Sequence, residues 1–416
     1  MSISLADQRE TRRAIPRPPC QTVARPPVIV VGGGANALSI ARSLGRRGIP
    51  VCAVNEPGAP VCRSRYARWL AEAGASPQSW EQWLTGPESD AWRGSVLLAA
   101  SDAAIKLILD HRPLLAEKFL LDISNPQAQA AMLNKLGTYQ AAVAAGVPTP
   151  RFWTAQTLAE LENIRHELVF PLIVKPQLSH VFEERFGRKF LVAENHDELA
   201  QAFRTVCDAQ IEMLLVERIG GPDSRLCSYY TYLDETGGPL FDFTKRIIRR
   251  WPAGMGAACY HITDHVPEIR ELALRLFRHV GLQGLANVEF KLDDRDGRLK
   301  LIECNARFTA ANGLLADCGF DLAWFVYERV LGRRPPRLAN FRSGVRLWYP
   351  LEDFKAFREL HRNGELTLLA WLRSLGHRQT LPFFRWSDPG PSLIAESRRI
   401  RRACGRLFGS DTSRGP

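Results

Sequence analysis

Apolar residues recur along this chain with two different periods, and the change from one to the other divides it. Val28–Val31, Val51–Val54 and Val96–Ala100 are short, unbroken apolar runs. Between the first two lies a helical spacing from Leu38 to Arg47, closed by Gly48-Ile49-Pro50, and Ser101-Asp102 after the third is a helix entry. Unbroken apolar strands alternating with helices predict a parallel sheet covered on both faces, a Rossmann-like α/β domain over 28–124. From 125 onward the pattern is mixed, of α+β character. Asn125–Ala145 reads as one helix with Lys135 near its middle, broken by Gly146-Val147-Pro148-Thr149-Pro150. Strand-like runs follow at Phe170–Pro176, Met213–Ile219, Ser228–Leu233 and Phe241–Thr244. Glu268–Val280 carries Leu272, Leu276 and Val280 at helical spacing and stops at Gly281. A second domain is expected over 125–332, a small C-terminal subdomain over 333–408, and disorder in the Pro- and Arg-rich leader 1–27 and the tail 409–416.

The stretch from Leu285 to Phe308 holds the densest chemistry. Two alternating runs flank the polar loop Asp294-Arg295-Asp296-Gly297-Arg298, which predicts a β-hairpin. A register symmetric about Asp296 sets Glu289 opposite Glu303 and Asn287 opposite Asn305. Val288, Phe290, Ile302 and Cys304 then share the core face, while Asn287, Glu289, Glu303, Asn305 and Arg307 share the other. Carboxylates directly across a strand pair have Cβ atoms roughly 5 Å apart and repel unless a cation lies between them. Two carboxylates and an amide are hard oxygen donors that suit Mg2+ or Mn2+ better than zinc. The plainer alternative is a solvated face whose glutamates pair with Lys291 or Arg307.

A chain of 416 residues needs more than one core. Its apolar fraction of 45% and charged fraction of 24% are those of a globular protein. No run reaches the roughly 18 apolar residues that span a bilayer, and no secretory layout is evident, so a cytoplasmic location without membrane contact is expected. An Arg-containing transit peptide is the other reading of the leader, and Asp7 and Glu10 argue against it. The net charge of +11 gathers in blocks such as Arg12-Arg13, Lys245–Arg250 and Arg398–Arg402. With no helix-turn-helix, zinc-finger or RRM pattern, nucleic acid is not the expected partner; a site for small anionic ligands also calls for positive charge. Nine scattered cysteines without a Cys-x-x-Cys pair indicate neither a disulfide framework nor a zinc site.

Glu289 with Glu303-Cys304-Asn305-Ala306-Arg307 resembles the metal-binding signature of the ATP-grasp superfamily, with Ala306 where the family usually has proline. The resemblance implies an ATP-grasp fold in which the acids, the Asn and the Arg hold two Mg2+ ions against ATP and steady an acyl phosphate. It extends well over 125–332 and more weakly over 28–124, and is greatest to the carboxylate-amine ligase branch. It implies Mg2+ (or Mn2+) on Glu289, Glu303 and Asn305, with Arg307 and Lys175 as catalytic residues. Asn134-Lys135-x-x-Thr138-Tyr139 looks like the start of the fold, which makes Lys135 a phosphate contact. Lys175-Pro176 matches the strand-end lysine that contacts the nucleotide. Residues 177–189 occupy the phosphate-flap position, here with Gly187 alone and with Lys189 as a phosphate contact. Met213–Ile219 leading into Gly220-Gly221-Pro222-Asp223 resembles the adenine hinge. Alignment on Gly221-Pro222 selects Val216 for the adenine-side acid and alignment on the carboxylate selects Glu217; Glu217 for adenine and Asp223 for ribose is the assignment carried forward. The basic segment Lys245–Arg250 implies cationic contacts from Lys245 and Arg249, which alternation sets on one face with Ile247, against Arg246, Ile248 and Arg250 on the other. Ser64-Arg65-Tyr66 and Ser101-Asp102 also resemble leading-domain segments, Ser101-Asp102 being either a helix entry or a contact to the second substrate.

The function so implied is ATP-dependent ligation of a small-molecule carboxylate to an amine, by a family in which homodimers are usual. Two rivals remain: an ATP-grasp protein that binds nucleotide without ligating, and an NAD-dependent oxidoreductase. The second would rest on Gly32-Gly33-Gly34-Ala35-Asn36-Ala37, a Gly-x-Gly-x-x-Ala pattern with Glu56 about 20 residues on.

Overall fold

The computed structural model describes residues 25–71, 73–176, 190–207, 213–335 and 340–393. The expected leader up to 24, the flap with Lys189 and the expected tail lie outside these residues. Among the described residues, no helix is long and apolar enough to cross a membrane.

The unbroken apolar runs form a five-stranded sheet, β1 (Val28–Val31), β2 (Val51–Val54), β3 (Trp69–Leu70), β4 (Val96–Ala99) and β5 (Leu120–Leu121), in the order β3-β2-β1-β4-β5. Every pairing is parallel, and β1, β2 and β4 are wholly buried, as doubly covered strands require. Helix α1 (Ala35–Arg46) follows β1, α2 (Pro77–Thr85) precedes β4, and α3 (Asp102–Asp110) and α4 (Arg112–Ala116) follow it. This sheet does not stand alone. Val28, Val30, Ile40 and Leu44 share one core with Tyr232, Phe241, Phe243, Phe320 and Phe325 from the second half of the chain. Each such apolar side chain withdrawn from water contributes roughly 1.5–3 kcal/mol before entropy, so the shared core holds the two halves against each other.

The single helix expected over Asn125–Ala145 is two, α5 (Pro126–Leu133) and α6 (Lys135–Ala144). Asn134 is extended (φ −90°, ψ 122°), and its side chain accepts the Gly137 amide at 2.9 Å. Asn competes well for such a cap, so periodicity alone does not reveal the break. Lys135 is therefore the first residue of a helix.

Two more sheets follow. The four-stranded one contains β6 (Phe152–Thr154), β7 (Leu172–Pro176), β8 (Leu191–Ala193) and β9 (Met213–Glu217) in the order β6-β9-β7-β8. The seven-stranded one contains β10 (Leu226–Leu233), β11 (Phe243–Trp251), β12 (Ala257–Thr263), β13 (Gly284–Leu292), β14 (Leu299–Asn305), β15 (Arg346–Trp348) and β16 (Gln379–Thr380), in the order β14-β13-β10-β11-β12-β15-β16. The region expected as a separate C-terminal subdomain thus supplies the last two strands of the large sheet. It is tied in at two buried carboxylates. Asp353 accepts from Arg249 (2.5 and 3.0 Å) and from the indole nitrogens of Trp348 and Trp371. Asp388 accepts from the Arg42 and Ser64 side chains and the Arg65 amide, which gives the Ser64-Arg65-Tyr66 segment a docking role.

The hairpin β13–β14 has the expected pairs Asn287–Asn305 and Glu289–Glu303, but Phe290 pairs with Leu301 because Ile302 is bulged out. Ile302 therefore leaves the core position assigned to it, and Leu301, fully buried, takes it beside Val288 and Phe290.

Candidate functional site

Sheet register assembles the site. Ser228 pairs with both Glu289 and Lys245, and Lys245 with Thr263. Paired residues point the same way, so Glu303, Glu289, Ser228 and Lys245 form one row across β14, β13, β10 and β11. The neighbouring row holds Asn305, Asn287 and Tyr230. Within the first row, Lys245 donates to Ser228 Oγ at 2.9 Å, Ser228 donates to Glu289 at 3.2 Å, and the Lys245 ammonium lies 4.0 Å from Glu289. Within the second, Asn287 is fully buried and donates to the Tyr229 carbonyl at 3.1 Å. The Asn305 amide donates to Glu303 at 3.2 Å.

Burial raises the Glu289 carboxyl above its ordinary pKa; Lys245 opposes the rise and the facing Glu303 adds to it. The glutamates do not take the partners that a solvated face would give them. Lys291 is spent on the Ile219 and Gly221 carbonyls at 3.1 and 2.6 Å, and Arg307 on Asp102. Two carboxylates, Glu289 half-buried and Glu303 exposed, and the half-buried Asn305 amide, facing each other with the Lys245 ammonium near Glu289, suit a hard divalent cation. Among the described residues, no group of three or more His, Cys, Asp or Glu forms a self-sufficient metal cage.

Lys175 reaches the site from the small sheet. Its ammonium donates to the Tyr139 hydroxyl at 3.5 Å, which donates to the Ile302 carbonyl at 2.9 Å. Burial lowers the Lys175 pKa, and the charge of Glu303 opposes that shift. Lys135 is half-buried at the start of α6. The Arg307 guanidinium makes a two-pronged contact with Asp102 of α3, at 2.5 and 3.0 Å, so Ser101-Asp102 both caps a helix and meets the hairpin.

Two expected contacts, Glu217 and Arg249, face away from the acid row, and a third, Asp223, is held by Arg250. Glu217 shares its face of the small sheet with Leu172, Val174 and Leu215, whereas Lys175 lies opposite Leu214 on the other face. Its carboxylate is taken by Arg295 at 2.9 Å and the Arg151 amide at 3.0 Å, beside a cavity of about 650 Å³ lined also by Asp293 and Lys300. Asp223 is paired with Arg250 at 2.7 Å and accepts the Gly254 amide at 3.2 Å. Arg249 is the brace of Asp353 described above and faces away from Glu289. An irregularity in the β11–β12 register around Ile247, Arg249 and Arg250 is the cause. It turns Arg249 toward Tyr260 and brings the charge of Arg250 to bear on Lys175 and Glu289. Arg250, Ser228 and the Tyr139 hydroxyl are the site groups that alternation did not select. Ser228 could have been found from its place on the strand facing the hairpin.

Residues 245–350 match the family described as ATP-grasp in the biosynthetic pathway with Ter operon. A D-aspartate ligase of Enterococcus faecium (strain Aus0004) is 26% identical over 304 residues, 68% of this chain and 70% of that ligase. A D-alanine–D-alanine ligase of Ectopseudomonas mendocina (strain ymp) is 27% identical over 191 residues, and the chain spans 56% of its length. Among solved structures, an N5-carboxyaminoimidazole ribonucleotide synthetase in its ADP complex superposes with a TM-score of 0.62 at 15% identity, covering 92% of this chain and 99% of that one. The fold is therefore that of the ATP-grasp proteins. Within that superfamily the chain resembles the carboxylate-amine ligases.

Proposed function

We propose that this protein is an ATP-dependent ligase that activates a substrate carboxylate as an acyl phosphate for attack by an amine, giving an amide, ADP and phosphate. The observation that carries the proposal is the in-register pairing of Glu289 with Glu303 and of Asn287 with Asn305, framed by Lys245, Lys175 and Arg250. Such chemistry demands positioning and charge neutralisation more than covalent help from the protein. Glu289, Glu303 and Asn305 would hold Mg2+, which when bound supplies neutralisation of the phosphate oxygens.

The chain's own groups do the rest. Lys175, kept in place by Tyr139, and Lys135 would hold nucleotide phosphates. Lys245 and Arg250 extend the positive surface from β11, and Lys245 also holds Glu289 in place through Ser228. Arg307 would offer its planar fork to the oxyanion that develops at the activated carboxyl. The Glu217 and Asp223 carboxylates are engaged in ion pairs, so adenosine recognition is assigned to the backbone of 216–221. Measuring ADP release from ATP and Mg2+ across a panel of amino acids and simple carboxylates tests the proposal. An amine- and carboxylate-dependent burst of ADP is expected. Its absence across the panel, with ATP still bound, would reduce the protein to a nucleotide binder.

A further inference from the structure

The contact between Arg307 and Asp102 joins two unlike partners. The Arg307 side chain is 18% exposed, whereas that of Asp102 is 61% exposed. Arg307 lies at the end of the hairpin, with the Phe308 carbonyl at 3.3 Å from its guanidinium and the charge of Glu303 nearby. Asp102 lies on the first turn of α3, in the leading domain, where its carboxylate accepts from both prongs of this guanidinium. A mostly hydrated carboxylate leaves such a pair at little cost, because water re-solvates it. A mostly buried guanidinium does not, and needs another anion if its partner goes. The two-pronged geometry also uses the fork that would otherwise be offered to a phosphate or acyl oxyanion.

We infer that Asp102 is a displaceable internal anion that occupies Arg307 until an anionic ligand takes its place. It is a positioning residue acting through Arg307, and the inference rests on the reading of Arg307 as the anion contact of the site. Before a ligand arrives, the pair keeps the guanidinium extended toward the leading domain. Once an anion reaches the fork, the carboxylate is released to solvent. Binding therefore includes the cost of breaking the Arg307–Asp102 pair, and removing the carboxylate removes that cost.

The test is calorimetric titration of wild type and Asp102→Asn with Mg-ATP, and with inorganic phosphate in the presence of Mg-ADP. Asn retains the helix-entry shape without the charge. At least one of the two probes should bind about threefold to fivefold more tightly to Asp102→Asn, the range expected on loss of a competing pair whose carboxylate is largely exposed. The gain should vanish when Arg307→Lys is combined with Asp102→Asn, since a point ammonium does not present the fork. Asp110→Asn, at the other end of α3 and paired with Lys106, should leave both affinities unchanged. Unchanged or weaker binding of both probes by Asp102→Asn, or a gain that persists in the Arg307→Lys background, would overturn the inference and leave the ligase proposal intact. A wild type that binds no Mg-ATP would remove both.

Discussion

Replacing Glu303 by Gln should change stability and nucleotide affinity in opposite directions. Without metal, Glu289 and Glu303 face each other across the strand pair, and the Lys245 ammonium stands 4.0 Å from Glu289. Like charges so placed cost roughly 0.2–1 kcal/mol, and the exposure of Glu303 puts this pair toward the low end. Gln keeps the size of the side chain and can still accept from Asn305. In EDTA the melting temperature of Glu303→Gln should therefore equal that of wild type or exceed it by about 1 °C. With Mg2+ present the repulsion becomes attraction to the cation, and the variant loses an anionic oxygen donor. Affinity for Mg-ATP should fall by at least the roughly 10–100-fold seen when a metal site loses even a supporting partner. Differential scanning fluorimetry with EDTA and calorimetry with Mg-ATP measure the two halves on one protein sample. Mg-ATP affinity within twofold of wild type would remove Glu303 from the metal site. A metal-free melting temperature several degrees below wild type would show that the carboxylate is a structural anion, and the paired-acid argument would fail with it.

Other expectations follow from single contacts. Arg307→Lys should preserve Mg-ATP binding within a few-fold while lowering turnover about 10–100-fold, read as kcat in an ADP-release assay, because an ammonium lacks the planar fork. Asp353→Ala should remove about 3–5 kcal/mol of stability by leaving Arg249 buried without its anion, visible as a loss of about 5 °C or more in Tm. Asp122, half-buried between the two halves and accepting from Tyr232, has its carboxyl pushed up to about 6, chiefly by desolvation. The folded protein then holds this proton more tightly than the unfolded chain. Its contribution is full below about pH 4 and is lost as pH rises through about 6, by up to about 3 kcal/mol. Asp122→Asn should accordingly be more stable than wild type at pH 7.5 and flatten this part of the pH profile in urea titrations; an unchanged profile would count against the assignment.

Alternation along a strand is a local rule, and it succeeded where the strand is regular. The acid pair and the asparagine pair were legible because the bulge in the central hairpin falls beyond Glu303, at Ile302, so the phase is undisturbed from Glu303 to Asn305. The same bulge misassigned Ile302, since nothing in Leu299–Cys304 marks which of two adjacent apolar residues will be displaced. In β11 the irregularity falls between Lys245 and the arginines. Alternation groups Lys245 with Arg249 without saying which face looks inward; in the structure Lys245 shares the row of the glutamates and Arg249 does not. Arg249 turns toward a carboxylate more than a hundred positions later in the chain, Asp353, which also receives two indole N–H groups. A buried acid with that many donors secures its arginine more strongly than strand phase can oppose, and no window of local sequence contains both partners. The Glu217 carboxylate answers to the same kind of distant partner, Arg295 on the hairpin loop. Positions whose side chains answer to the sheet alone can be read from spacing. Those whose charge is claimed by a remote partner cannot, and at this site they are the arginines and acids that surround Glu289, Glu303 and Asn305.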